Sequence, residues 1–350
     1  MSDHQPVHYL PGLDGLRTLS IALVLLSHVQ GTGAPARPAW WWHVGDTGNL
    51  GVRIFFVISG FLITHLLLRE EHKRQRISIP HFYIRRAFRI LPALWGMLLV
   101  MLVARSAGVV SFPTLQLVQG AFFTANYPLA HGTRWLLGHL WSLSVEEQFY
   151  LLWPALLAFA PKSWRVRVLV IAVAAAPLLR LAELLLAAHH GMPVTDSPPN
   201  GFFSSMDALA MGCLLAVFRT GGTVPAWYQR LTARWWVAGL PVLLILLNGL
   251  TMNPWIFLVG VLPAMNLTAA VLIDVASRGL LTGWQRLLDL SPVRWVGRLS
   301  YSLYLWQQPF LDRESHEWFA RYPINLVGAC LAAALSYYLI ERPALSRRPV

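Results

Sequence analysis

Apolar runs of the length needed to cross the hydrocarbon core of a bilayer recur from one end of this chain to the other, and nothing else in it constrains the fold as tightly. Ten candidate spans stand out, at residues 13–29, 52–68, 90–104, 149–160, 166–187, 206–218, 235–250, 255–276, 299–311 and 326–340. No polar stretch between them is long enough to fold separately, so residues 1–350 are expected to form a single transmembrane domain. The first run is expected to stay in place rather than be cleaved as a leader. It carries Asp14 and Arg17, and the segment before it holds no lysine or arginine. The expected fold class is therefore all-α, a polytopic transmembrane helical bundle of about ten spans.

Charge orients the bundle. A formal net charge of +12 on a soluble chain would suggest nucleic acid, but only 13% of these residues are charged and 56% are apolar. The basic residues fall in short loops between apolar runs, where the positive-inside rule and contact with anionic lipid account for them. The lipid bilayer is thus an expected partner and nucleic acid is not. With ten spans and a cytoplasmic N-terminus, the clusters at 69–89, 162–167, 219–234 and 278–298 share one side with Arg342, Arg347 and Arg348. Both termini are then cytoplasmic. An eleventh run, 115–123, is too short to cross unaided, and its crossing would flip every later cluster outside. It is expected to be re-entrant or interfacial. Cys213 and Cys330 lie within apolar stretches and are expected to be buried free thiols.

Ionisable groups inside spans are costly and therefore candidates for function. The first span carries Asp14, Arg17 and His28. Arg17 and His28 are eleven residues apart, three helical turns plus about 20°, so they project from nearly one face and are separated by roughly 16 Å along the axis. One stripe thus joins a cationic anchor near the cytoplasmic surface to a titratable base further in, and an imidazole is suited to deprotonating a hydroxyl. The competing reading is an interfacial histidine and a positive-inside arginine. Asp14 is a nearer partner for Arg17 than for His28.

A second constellation follows His139. Ser142, Glu146 and Tyr150 are spaced i, i+4 and i+8 and form one polar stripe on a helix. A carboxylate flanked by hydroxyls could bind a sugar-like acceptor or orient a histidine. Ser142 could alternatively be a helix cap, with the acidic residues favoured by the first-turn dipole. The third constellation is basic: Arg69, Lys73, Arg74 and Arg76 read as positive-inside charge, whereas Arg86 and Arg89 lie one turn apart and could grip phosphates. Arg180 and Glu183, at i, i+3, read as a structural ion pair, and His189-His190 as a solvated loop. The chain carries no phosphate loop, no Gly-x-Ser-x-Gly elbow and no clustered metal-ligand motif.

At these residues the sequence resembles acyltransferase family 3, membrane acyltransferases that modify bacterial polysaccharides and some small molecules. The resemblance runs in order along nearly the whole chain. It comprises residues 9–17 with Ser27-His28, the glycine-bounded segment 51–61, the basic segment 82–92, residues 139–154, residues 297–306, and Ile340-Glu341-Arg342-Pro343. Two positions depart from the pattern. Arg53 stands where the family often has aspartate, and Gln307-Gln308 follow Trp306 where many members carry histidine.

The resemblance implies transfer of a short acyl group, most often acetyl, from cytosolic acyl-CoA to a hydroxyl of a carbohydrate or glycolipid acceptor. Acyl-CoA is then a co-substrate, and no permanently bound cofactor or metal is expected. Arg17, Arg86 and Arg89 are the expected donor-binding residues. His28 is the expected base, oriented or charge-tuned by a carboxylate, or else a brief carrier of the acyl group; Glu146 would contact the acceptor or complete the base, and Asp14 is a further catalytic candidate. Ser142, Tyr150 and His139 are the expected acceptor contacts. Two rivals remain: a proton-coupled transporter, which the missing internal repeat disfavours, and a membrane sensor or scaffold that has lost catalysis.

Overall fold

The computed structural model describes residues 10–38, 41, 44–127, 135–191, 200–221, 224–250, 253–281 and 283–348, and every regular element among them is helical. In chain order these are α1 (Leu13–His28), α2 (Thr47–Arg74), α3 (Ile79–Ser106), α4 (Thr114–Ala121), α5 (Leu140–Phe159), α6 (Lys162–His189), α7 (Phe202–Thr220) and α8 (Ala226–Thr232). They continue with α9 (Leu240–Asn248), α10 (Pro254–Ile256), α11 (Leu262–Ser277), α12 (Gln285–Leu288), α13 (Ser291–Phe310), α14 (Ile324–Ser336) and α15 (Arg342–Ser346). π-Helical turns at Phe257–Val261 and Tyr337–Glu341 carry α10 into α11 and α14 into α15 without a break.

Among the described residues, six helices are long and apolar enough to cross a membrane: α2, α3, α6, α7, the continuous Pro254–Ser277 and the continuous Ile324–Ser346. Ala226–Thr232 with Trp235–Asn248, bent by 59°, could supply a seventh. The other apolar runs also fall in helices, but α1 has only 16 residues, and α5 and α13 interrupt their apolar faces with polar groups. The run 115–123 contributes α4, whose 8 residues rise only about 12 Å. Outward faces are apolar, as Leu99 and Val103 on α3, Ile171 and Leu178 on α6 and Leu331 and Leu335 on α14 show. Such a surface suits hydrocarbon, not water. Cys330 lies on this exterior while Cys213 is buried. Apolarity of the run alone could not tell the inward face of α14 from its outward one.

α2 packs closely against both α1 and α7. An added Cβ on Gly60 would collide with the Leu209 carbonyl on α7, one on Gly212 with the Val57 carbonyl on α2, and one on Gly51 with the Ser20 carbonyl on α1. Helix backbones in hydrocarbon associate through such small-residue contacts, because no hydrophobic force draws apolar side chains together there. Gly51 and Gly60 are nine residues apart, half a turn at 100° per residue, so α1 and α7 flank α2 on opposite sides.

A buried ion cluster fixes the α2–α7–α6 contact. The Asp207 carboxylate accepts from Arg53 Nη1 at 3.0 Å and from Arg180 Nη2 at 2.8 Å. Arg180 also donates to the carbonyls of Leu258 and Ser204, each at 2.8 Å. All three side chains are almost fully buried. The arginine at position 53 is thus neutralised by Asp207. Arg180 does not pair with Glu183, its i+3 neighbour, which instead accepts from Ser204 Oγ at 2.7 Å. Replacing Asp207 with asparagine strands two guanidinium groups and is expected to cost about 3–5 kcal/mol. A thermal melt in detergent should show a large fall in midpoint, and an unchanged midpoint would contradict a structural role for the cluster.

Candidate functional site

On the third side of α2, walled also by α1, α3, α5 and α13, lies a cavity of about 240 Å³. Its α2 wall extends from Val52 to Glu70, eighteen residues or about 27 Å of helix, close to the thickness of a hydrocarbon core. At one end, here the basic end, Arg17, Arg85, Arg86, Arg89 and Arg348 line it. The only carboxylate at that rim, among the described lining residues, is Glu70, which already faces Arg85 at 3.4 Å. The basic end therefore has a strong excess of positive charge within low-dielectric walls, which suits a polyanion.

Midway along, the lining becomes a polar neck. Ser59 Oγ donates to Glu146 Oε1 at 2.6 Å. The Arg86 guanidinium lies over the Tyr150 ring, 3.6 Å from its centroid, with Nε 3.8 Å from Glu147 Oε1. The cation is thus cradled from behind by an aromatic face and a carboxylate. Arg17 lies within electrostatic range of Arg89, Glu146 and Glu341, and Glu341 is held by Ser302 Oγ at 2.8 Å.

The cavity ends at Tyr304. Its hydroxyl donates to the His139 carbonyl at 3.0 Å and shares a 2.5 Å hydrogen bond with Ser142 Oγ. Phe55 meets the Tyr304 ring edge to face, 6.4 Å between centroids. Past this layer stand His139, whose Nε2 lies 3.0 Å from the Leu305 carbonyl, and His28, whose Nδ1 lies 2.7 Å from Gln307 Oε1. The His28 ring packs edge-on against Trp135 at 4.8 Å. Trp135 in turn carries Arg313 over its ring at 4.3 Å. In the loop after α13, burial pulls the Arg313 guanidinium below arginine's ordinary value and Asp46 counters it.

Six of the expected residues, Arg17, Arg86, Arg89, Ser142, Glu146 and Tyr150, thus share one cavity. His28 and His139 lie outside its lining, beyond Tyr304. Glu146 bonds Ser59 at mid-depth, and the hydrogen-bond partner of His28 is an amide, that of Gln307. Ser142 is not a cap, since its hydroxyl bonds Tyr304 and the N-cap of α5 is His139. Asp14 makes no ion pair with Arg17 among the described residues; its carbonyl packs against Gly297, where α13 crosses α1. Ser59, Tyr304 and Gln307 were not singled out as site residues. Ser59 is the one hydroxyl on an otherwise apolar α2 stripe (Val52, Phe55, Leu62, Leu66), which is the signal that could have marked it.

Comparison with known proteins gives one family: the model described as "Acyltransferase domain" matches residues 10–340. The peptidoglycan O-acetyltransferase OatA of Listeria monocytogenes is 28% identical, covering 96% of this chain and 56% of its own length. The putative peptidoglycan O-acetyltransferase YrhL of Bacillus subtilis is 29% identical, with 97% and 56% covered. The O-acetyltransferase OatA of Staphylococcus aureus is 26% identical, with 96% and 57% covered. The chain spans a little over half the length of these curated relatives. No solved structure matches.

The geometry puts Tyr304 between the cavity and the two histidines, His28 and His139. With Cys213 and Cys330 replaced by alanine, Ser59→Cys should react with a membrane-impermeant thiosulfonate added at the basic face of sealed vesicles and not at the opposite face. Adding Tyr304→Ala should admit reagent from both faces. Equal labelling from both faces without Tyr304→Ala would contradict that placement.

Proposed function

This chain belongs to the acyltransferase family whose model covers residues 10–340, and on that premise we propose that it transfers an acetyl group from acetyl-CoA to a hydroxyl of a carbohydrate in the cell envelope. The observation that carries this reading is the cavity itself: a cationic mouth, a polar neck and a far end one side-chain layer short of a histidine. The names of the relatives point to peptidoglycan-type glycans as acceptors.

In this reading all ten apolar segments cross the cytoplasmic membrane and both termini are cytoplasmic. The positive-inside rule then puts the basic end of the cavity in the cytoplasm. Coenzyme A is a polyphosphate that enters there. Arg17 and Arg89, with Arg85 and Arg348 at the rim, take its phosphates, and Arg86 presents a fixed charge from its seat on Tyr150. The pantetheine arm is long and mostly neutral and extends through the neck past Ser59 and Glu146. The thioester then arrives beneath Tyr304.

The acceptor comes from the opposite face, where His28 stands. His28 takes the proton of the acceptor hydroxyl, and that oxygen attacks the thioester carbonyl carbon. The carbon–sulfur bond breaks, the acetyl group passes to the acceptor oxygen, and the leaving thiolate receives the proton. Transfer requires the Tyr304–Ser142 contact to part so that donor and base can meet. While closed, it keeps water from the thioester.

His28→Ala should lower acetyl transfer about a hundredfold to ten-thousandfold while acetyl-CoA binding persists. Arg17→Gln with Arg89→Gln should weaken acetyl-CoA binding by about tenfold or more, since each removes a charged hydrogen-bond donor. Binding and single-turnover assays on purified protein in detergent measure both. Near-normal turnover in folded His28→Ala would overturn the assignment of the base.

A further inference from the structure

We propose that Gln307 is a positioning residue for His28: its side-chain oxygen accepts a hydrogen bond from Nδ1–H and so holds the imidazole in the tautomer whose Nε2 carries the lone pair. This rests on the reading of His28 as the base. The bond is short, 2.7 Å, and Gln307 is fully buried, so water does not compete for it. The two helices that bear the pair are locked together at their other ends. There Gly297 packs against the Asp14 carbonyl, and Thr18 Oγ1 donates to the Val293 carbonyl at 2.5 Å. Trp135, edge-on to the ring at 4.8 Å, fixes the plane that the bond alone would leave free to swing.

An imidazole that must remove a proton needs one unprotonated nitrogen aimed at the acceptor, and its other nitrogen decides which one that is. A carboxylate partner would do this while adding charge beside the site. An amide does it without charge. The amide has two ends, and only the oxygen-facing orientation leaves Nε2 basic. With the nitrogen facing the ring, Nε2 would carry the proton and could not accept the one from the acceptor hydroxyl. The reaction also needs the amide to stay put as the proton passes through Nε2 to the departing thiolate. Burial on α13 between Trp306 and Gln308, the latter bonded to the Trp135 carbonyl, supplies that rigidity.

Three variants of the full chain in detergent, assayed for acetyl-CoA turnover with water as the accepting hydroxyl, test the assignment. Gln307→Met removes the acceptor and should lower kcat about tenfold to a hundredfold with KM for acetyl-CoA unchanged, the usual scale for a partner that orients a histidine. Gln307→Glu, which can only accept, should retain kcat within a few-fold of wild type. ¹⁵N spectra of labelled His28 should show Nδ1 protonated in wild type and a mixture of tautomers in Gln307→Met. That readout stands even where turnover is weak, and melting midpoints separate misfolding from mispositioning. A wild-type kcat in Gln307→Met beside a dead His28→Ala would overturn the role of Gln307 and leave the base intact. A folded Gln307→Glu as slow as Gln307→Met would overturn the tautomer. Full turnover in His28→Ala would instead remove the base on which the inference rests.

Discussion

The Asp207 carboxylate holds two guanidinium groups in a place from which water is excluded, and the arrangement of α2, α6 and α7 follows from that one commitment. A lone buried charge of either sign would be prohibitive in hydrocarbon, so none of the three helices can leave without stranding a partner. Glycine then sets how close they come. With α1 seated at Gly51 and α7 at Gly60, two sides of α2 are consumed by backbone contact. The side between them has no such contact, and the cavity runs along it for most of the helix. The same helix that meets backbone on two sides therefore lines the cavity on a third.

That division of labour explains how a polar route can cross an apolar bundle. In the neck Ser59 donates to Glu146 and Arg86 lies over the Tyr150 ring, and these polar groups point inward while the midsections of the outward faces of α3, α6 and α14 are apolar. The two π-helical turns lie in helices that flank this core, where a wider turn lets a long helix follow its neighbours without ending.

Much of this was legible in the sequence, and the parts that were not share a cause. The helical class follows from apolar run length, and the Ser142–Glu146–Tyr150 stripe from a period of four, because both are local. Arg17, Arg86 and Arg89 announced themselves as cations at span ends. By contrast, the partner of His28 lies 279 residues away along the chain, and nothing in local spacing favours Gln307 over Glu146. Arg180 has an acidic neighbour one turn away, yet it pairs with Asp207 across the helix interface while Glu183 accepts from Ser204, and spacing along one helix carries no sign of that choice. The position that departs from the family pattern at Gln307 is also the one that holds the histidine.

The layer at Tyr304 has an electrical meaning. A cavity that extends about 27 Å along α2, once filled with water or a polyphosphate, brings the potential of one bathing solution almost through the bilayer. Nearly the whole membrane voltage then falls across the few side chains around Tyr304, Ser142 and His139 rather than across about 30 Å of hydrocarbon. A unit charge that passes this layer exchanges about 2.3 kcal/mol with the field for each 100 mV. The side chains found there, a phenol, a hydroxyl, an imidazole and amides, include no carboxylate or guanidinium, so a proton or a metal ion that passes this layer meets the full dielectric cost while an uncharged group does not.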